Sequence, residues 1–134
     1  MEMDEYKIKV EIPVQWRDMD SAHHVNNVVY LKWIEAARIR YFMHLNNGKL
    51  QNEDKIGPIL AWQECKYIRP VTFPDTVIVG IRRVETLEDK IITESKIYSK
   101  ALDRVVAFSK QHTVSYDFKT RRKVPLPLNW LYNS

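Results

Sequence analysis

Between Asn27 and Asn46 the chain reads NVVYLKWIEAARIRYFMHLN. At 100° per residue, Tyr30, Trp33, Ile34, Ala37, Tyr41 and Leu45 share one stripe. Val28, Val29, Ala36, Ile39, Phe42 and Met43 cover much of the remainder. A helix that is apolar almost all round is buried on several sides. Roughly 20 residues make it about 30 Å long, the diameter of a small domain. Asn26 stands before it as a cap, since its side chain can accept from the unpaired amides of the first turn. Gly48, after Asn46-Asn47, is a suitable stop.

The surroundings of this helix read as β-structure. Residues 6–16 alternate, with Tyr6, Ile8, Val10, Ile12, Val14 and Trp16 on one face of a half-buried strand. Pro13 lacks an N–H and places that strand at an edge or at a bulge. Residues 49–58 form a polar connector ending in Gly57-Pro58. Strands follow over 59–69, 76–86, 90–99 and 104–118, and in the last of these Val106, Phe108, Val114, Tyr116 and Phe118 share a face. Short links predict an antiparallel meander, with Pro74-Asp75 punctuating the turn VTFPD. Pro125 and Pro127 stop further pairing in the tail, and no second helix is predicted. The order is β-α-β-β-β-β, an α+β chain. A flat sheet cannot cover such a helix on all sides. A sheet curved around it can, with a second copy covering the rest.

Composition narrows the function. With 134 residues, 45% hydrophobic and 28% charged, the chain reads as one globular domain over 1–134 rather than a disordered segment. The longest apolar runs fall far short of a membrane span, the start MEMDEYKIKV lacks a signal-peptide layout, and one cysteine, Cys65, cannot form an internal disulfide. A soluble cytoplasmic protein with no membrane partner is the expectation. A net charge of +4 favours anionic partners, and Lys119, Arg121, Arg122 and Lys123 form the densest basic cluster. The strands carry no aromatic-basic platform, so no nucleic-acid partner is expected.

The chemistry-bearing residues gather in the loop before the helix, WRDMDSAHHVNN from Trp16 to Asn27. Asp20 is either a catalytic carboxylate or a cap for the loop backbone. Asp18 is read as pairing with Arg17 or a loop amide, and Glu35 with Arg38 one helical turn on. Asp20, His23 and His24 lack the spacing of a metal site, and none is expected. Nothing resembling a Cys-His pair surrounds Cys65.

The segment WRDMDSAHHVNNVVYLKWIEAAR, from Trp16 to Arg38, resembles the hotdog-fold acyl-CoA thioesterases of the 4-hydroxybenzoyl-CoA thioesterase type. The likeness is carried by Asp18, Asp20, His24, Val25, Asn26, Asn27, Tyr30, Leu31, Trp33, Glu35, Ala37 and Arg38. YIRPVTFPD (67–75) and TRRKVPLP (120–127) add weaker likenesses, so the similarity runs along nearly the whole chain. It implies a hotdog fold: one long central helix wrapped by a curved antiparallel sheet of about five strands. It also implies a homodimer, sometimes a homotetramer, with a thioester site at the subunit interface near the helix N-terminus. The implied reaction is hydrolysis of an acyl-CoA-type thioester to acid and thiol. Asp20 acts in it as nucleophile or general base, the Asn27 amide as oxyanion donor, and His24 either catalytically, orienting water or contacting the thioester, or in support. Asn26, Tyr30, Arg69, Arg121 and Arg122 are the implied substrate contacts. No cofactor is implied, since CoA is part of the substrate. Many relatives carry glycine where this chain has His23. The alternative is a hotdog protein that binds acyl groups or thioesters without turning them over.

Overall fold

The computed structural model describes residues 2–132. Met1, Asn133 and Ser134, the ends of the expected domain 1–134, lie outside the described residues. The chain runs β1 (Ile8–Pro13), α1 (Asn27–Leu45), β2 (Ile56–Tyr67), β3 (Thr76–Thr86), β4 (Lys90–Ser99), β5 (Arg104–Asp117), β6 (Arg122–Lys123) and α2 (Leu128–Tyr132). The strands form one antiparallel sheet in the order β1-β3-β4-β5-β2, and β6 pairs with β5. The sheet curves around α1.

The helix forms as its stripe predicts. Tyr30, Trp33, Ile34, Ala37, Tyr41 and Leu45 are all buried. They pack on Val77, Val79 and Ile81 of β3, Ile91 and Ile97 of β4, and Ala107 of β5. The Asn26 side chain accepts from the Val28 amide at 3.0 Å and caps the first turn. At the other end Asn47 turns left-handed, and the Gly48 amide returns to the Met43 carbonyl at 2.7 Å. The opposite side of α1 is open in the protomer, where Val28 and Ile39 are exposed. The helix is therefore buried on one broad face and not on several.

Four further expectations are corrected. Strand β2 begins at Ile56, so Gly57 and Pro58 belong to it and not to a connector. The missing N–H of Pro58 is tolerated because β2 is an edge strand with β5 as its one neighbour. The strands after α1 are not a simple meander, because β2 lies beside β5 and the segment 68–75 crosses to β3 at the other side. Trp16 is not on a strand face. It starts a 3-10 turn over Trp16–Asp18 and is 65% exposed. The tail adds α2, whose Trp130 ring packs on Phe42 and whose Nε1 donates to Asn46 Oδ1 at 2.6 Å. That contact closes the C-terminal end of α1. Pro13 does sit at an edge, since β1 pairs with β3 alone.

The inner face of β5 is polar. Ala107 belongs to the core, and Ser109, Gln111 and Thr113, which alternate with it, are buried. Phe108, Val114 and Tyr116 point to the outer face, contrary to what their apolar character suggests. The inner groups are tied together through Gln111. Its Oε1 accepts from Thr93 Oγ1 at 2.7 Å and Ser95 Oγ at 3.3 Å, and its Nε2 donates to Ser109 Oγ at 2.7 Å.

The N-terminal residues cover part of the outer face. Tyr6 does not share the inner face of Ile8 and Val10. It packs with Met3, Ile78 and Tyr98 in a second cluster. Its ring sits over Gly80, between the cations of Arg82 and Lys96, both of which also pair with Glu5. A Cβ on Gly80 would lie 2.5 Å from Tyr6 Cγ and 2.8 Å from Tyr6 Cβ, so the ring depends on glycine there. Gly80→Ala is expected to cost about 1–3 kcal/mol of stability through overpacking. Urea unfolding followed by tryptophan fluorescence measures it, and an unchanged midpoint would contradict the packing described.

Candidate active site

The loop before α1 is a small hairpin. Met19 bridges Val25, the Asp20 amide donates to the His24 carbonyl at 2.9 Å, and the His23 amide donates to the Asp20 carbonyl at 3.0 Å. The Asn26 amide donates to the Asp18 carbonyl at 2.9 Å, which fixes the loop against the helix start. Asp18 Oδ2 accepts from the Gln15 amide at 2.8 Å, so its carboxylate serves the loop backbone, as one sequence reading has it. Asp20 is exposed on the tip, and its Oδ1 accepts from the Ala22 amide at 2.9 Å. Its other oxygen has no hydrogen-bond partner among the described residues.

His23 carries φ 62, a left-handed backbone that glycine adopts without strain. The turn therefore has a glycine geometry with a histidine in it. Both His23 and His24 are exposed. No group of three or more His, Cys, Asp or Glu residues placed to hold a metal ion occurs among the described residues.

At the first helical position the backbone leaves a donor free. The Asn26 side chain takes the Val28 amide and the Asn26 carbonyl takes the Val29 amide. The Asn27 amide has no acceptor among the described residues, as expected for the first amides of a helix. It faces solvent together with the positive end of the helix dipole. Beside it lies a groove of about 290 Å³ lined by Val25, Asn27, Tyr30, Tyr67, Arg69 and neighbours. A carboxylate, a free helix amide and an open groove thus lie at one end of the protomer. Together they can hold a carbonyl and stabilise negative charge on its oxygen.

Tyr30 forms a wall of this groove and is itself buried. Its hydroxyl donates to the Arg69 carbonyl at 3.0 Å and accepts from the Val71 amide at 3.0 Å. Burial pushes its phenol up to about 12. Both bonds are spent inside the chain, so Tyr30 offers the groove its ring and not its hydroxyl. Tyr67, which the sequence reading passed over, stands edge-on to Tyr30 at 5.2 Å and donates to the Asn27 carbonyl at 3.3 Å. Its place at the end of β2, opposite the helix start, is a tertiary fact with no local signal. Cys65 is half-buried, and burial pushes its thiol up, away from the nucleophilic thiolate.

Arg69 lines the groove and is exposed. Arg121 and Arg122 do not join it within the protomer. They follow Asp117 on the β5–β6 turn, whereas the groove end of the sheet is marked by the pair Tyr67–Ala107. Ten residues of β5 separate Ala107 from Asp117, about 33 Å at strand rise.

Comparisons with known proteins identify the fold and the family. A family model described as the thioesterase-like superfamily matches residues 14–133. A thioesterase from Thermus thermophilus, solved with coenzyme A and Zn, is 30% identical over 91% of this chain and 92% of its own, with a TM-score of 0.78. The PA2801 protein from Pseudomonas aeruginosa is 26% identical over 94% of this chain and 96% of its own, with a TM-score of 0.83. A 1,4-dihydroxy-2-naphthoyl-CoA thioesterase from Synechocystis, 20% identical over 92% of each chain at a TM-score of 0.80, shares the fold. No match is found among the curated proteins compared. One long helix held in a curved antiparallel sheet, with these neighbours, is the hotdog fold of thioesterases. The chain belongs to the thioesterase-like superfamily.

Two substitutions test the site's construction. Tyr30→Phe strands the buried Val71 amide and is expected to cost about 1–3 kcal/mol. Chemical denaturation reads it, and a neutral result would mean the hydroxyl bridge carries no weight. His23→Gly relieves the left-handed backbone and is expected to add up to about 1 kcal/mol. A lower melting temperature would show that the histidine side chain contributes more than the strain removes.

Proposed function

We propose that this protein hydrolyses an acyl-CoA-type thioester, adding water across the bond to give the free acid and the thiol. The observation that carries the reading is the unpaired Asn27 amide beside the open groove, at the helix start that the hairpin bearing the exposed Asp20 carboxylate leads into. The Asn27 N–H and the helix dipole bind the developing oxyanion; one such donor is worth about 2.7–4 kcal/mol in a well-studied case. Asp20 either attacks the carbonyl and expels the thiolate, leaving a mixed anhydride for water to open, or takes a proton from the attacking water. Its free carboxylate oxygen suits both routes. His24, opposite Asp20 in the same hairpin, supports the water or the thioester oxygen. Asn26 acts through the cap that holds Asn27 in place.

The Thermus relative was solved with coenzyme A bound, which supports CoA as the carrier. Arg69 lines the groove and suits a CoA phosphate. The working unit is a homodimer built by pairing the open β2 edges. This is supported by the 12-residue length of β2, the exposed Trp62 and Tyr67 on it, and the exposed Val28 and Ile39 on α1. Arg121 and Arg122 reach phosphate in that arrangement only as residues of the partner.

Asp20→Asn tests the reading. Thiol release from acyl-CoA substrates is expected to fall at least about 10³-fold, with an unchanged melting temperature and a dimer's sedimentation. Full turnover by this variant would remove Asp20 from the chemistry. Tight thioester binding without turnover in the wild type would favour the non-catalytic binding protein.

A further inference from the structure

The seam between α1 and the edge strand β2 holds a second cavity. It is distinct from the groove at Asn27 and lies toward the other end of the helix. Its volume is about 170 Å³, and its walls include Ile39, Phe42, Leu60 and Phe118. An engineered cavity of about 150 Å³ is large enough to hold benzene, so this one takes a ring or a short length of alkyl chain.

One wall is charged. Arg38 lines the cavity with only 12% of its side chain exposed. Its single ion pair is with Glu35, at 3.7 Å, and the Glu35 side chain is 57% exposed. The guanidinium donates no hydrogen bond among the described residues. Burial also disfavours its charged form and lowers its pKa. A desolvated cation with five unused donors is costly, and an anion that reaches it recovers that cost. The floor of the seam is polar in the same region. Thr113 Oγ1 and Gln63 Oε1 are buried without partners, and Thr113 is the cross-strand neighbour of Leu60.

The distance to the proposed site bounds the length of a ligand that uses both. Arg38 follows Asn27 by eleven residues of one continuous helix, about 16 Å at helical rise. An extended chain gains about 3.3–3.6 Å per three backbone bonds, so the span corresponds to roughly 14 bonds. Between the two ends, Leu31, Gln63 and Cys65 are half-buried along the seam.

We infer that the Arg38 cavity is a distal acyl pocket selecting long acyl groups, of up to about fourteen carbons, that end in a carboxylate. This rests on the thioesterase reading of the Asp20 end. The apolar walls take the last methylenes, and the guanidinium takes the terminal carboxylate as a bidentate pair. A methyl-ended chain leaves Arg38 with only its long contact to Glu35, and a short chain does not reach it.

Free-thiol release is measured with butanoyl-, dodecanoyl- and tetradecanoyl-CoA and with the ω-carboxy forms of the two longer chains. The wild type is expected to prefer the ω-carboxy chains by about tenfold or more in kcat/KM. Arg38→Met is expected to abolish or reverse that preference while sparing butanoyl-CoA, and Arg38→Lys to retain part of it. Leu60→Trp, which fills the cavity, is expected to exclude all long chains and spare butanoyl-CoA. Equal wild-type turnover of methyl- and carboxy-ended chains overturns the inference, as does an Arg38→Met loss that falls equally on butanoyl-CoA. If no acyl-CoA is hydrolysed, the thioesterase reading fails, and calorimetric binding of dodecanedioate against dodecanoate then decides the pocket. Tighter diacid binding that Arg38→Met removes supports it, and equal binding overturns it.

Discussion

The hydroxyl of Tyr30 is the joint on which the site depends. It bonds both the carbonyl of Arg69 and the amide of Val71, while the Val25 amide bonds the Val71 carbonyl at 2.8 Å. These bonds fasten the crossing segment 68–75 to the first turn of α1. The crossing segment carries the chain from one edge of the sheet to the interior strand β3. The start of the helix, the floor of the groove and the order of the strands are thus set at one place. An aromatic ring fills the core there, and its polar tip satisfies backbone groups that the crossing would otherwise leave bare.

Much of this architecture is legible in the chain because the signals are local. The α1 stripe is a matter of period, and every residue of it is buried. The limits of β3 and β4 follow from alternation and turn residues, and the cap at Asn26 from one side chain beside free amides. What is not legible depends on partners distant in sequence. The place of β2 beside β5 has no local mark, and neither does the short α2, which forms because Trp130 finds Phe42 and Asn46. The outward turn of Trp16 comes from the 3-10 turn that ends the alternation.

The site divides the same way. The loop-to-helix segment offers the Asn26 cap and the free Asn27 amide in the sequence itself, because a helix start has the same free donors in every protein, whereas Asp20 is singled out only by the family resemblance. Tyr30 is visible as an aromatic of the stripe, but the use of its hydroxyl is not. Arg121 and Arg122 are conspicuous as charge and lie at the far end of the protomer, since charge density carries no information about distance. Arg38 is the opposite case. In sequence it is half of an ordinary helix pair with Glu35, and only its burial against an apolar cavity sets it apart.

The polar inner face of β5 bears on how the sheet finds its alignment. Strand register is ordinarily held by the gain from turning apolar residues inward, and a slip of one residue exchanges the two faces. In β5 that gain is weak, since a slip would bring Phe108 and Val114 under the helix in place of Ser109 and Thr113 but would bury Lys110 and His112 with them. Hydrophobic collapse alone therefore does little to select the register. The correct alignment is held by Gln111, whose amide engages Thr93 and Ser95 of β4 and Ser109 of its own strand. This makes β4 the template against which β5 is read.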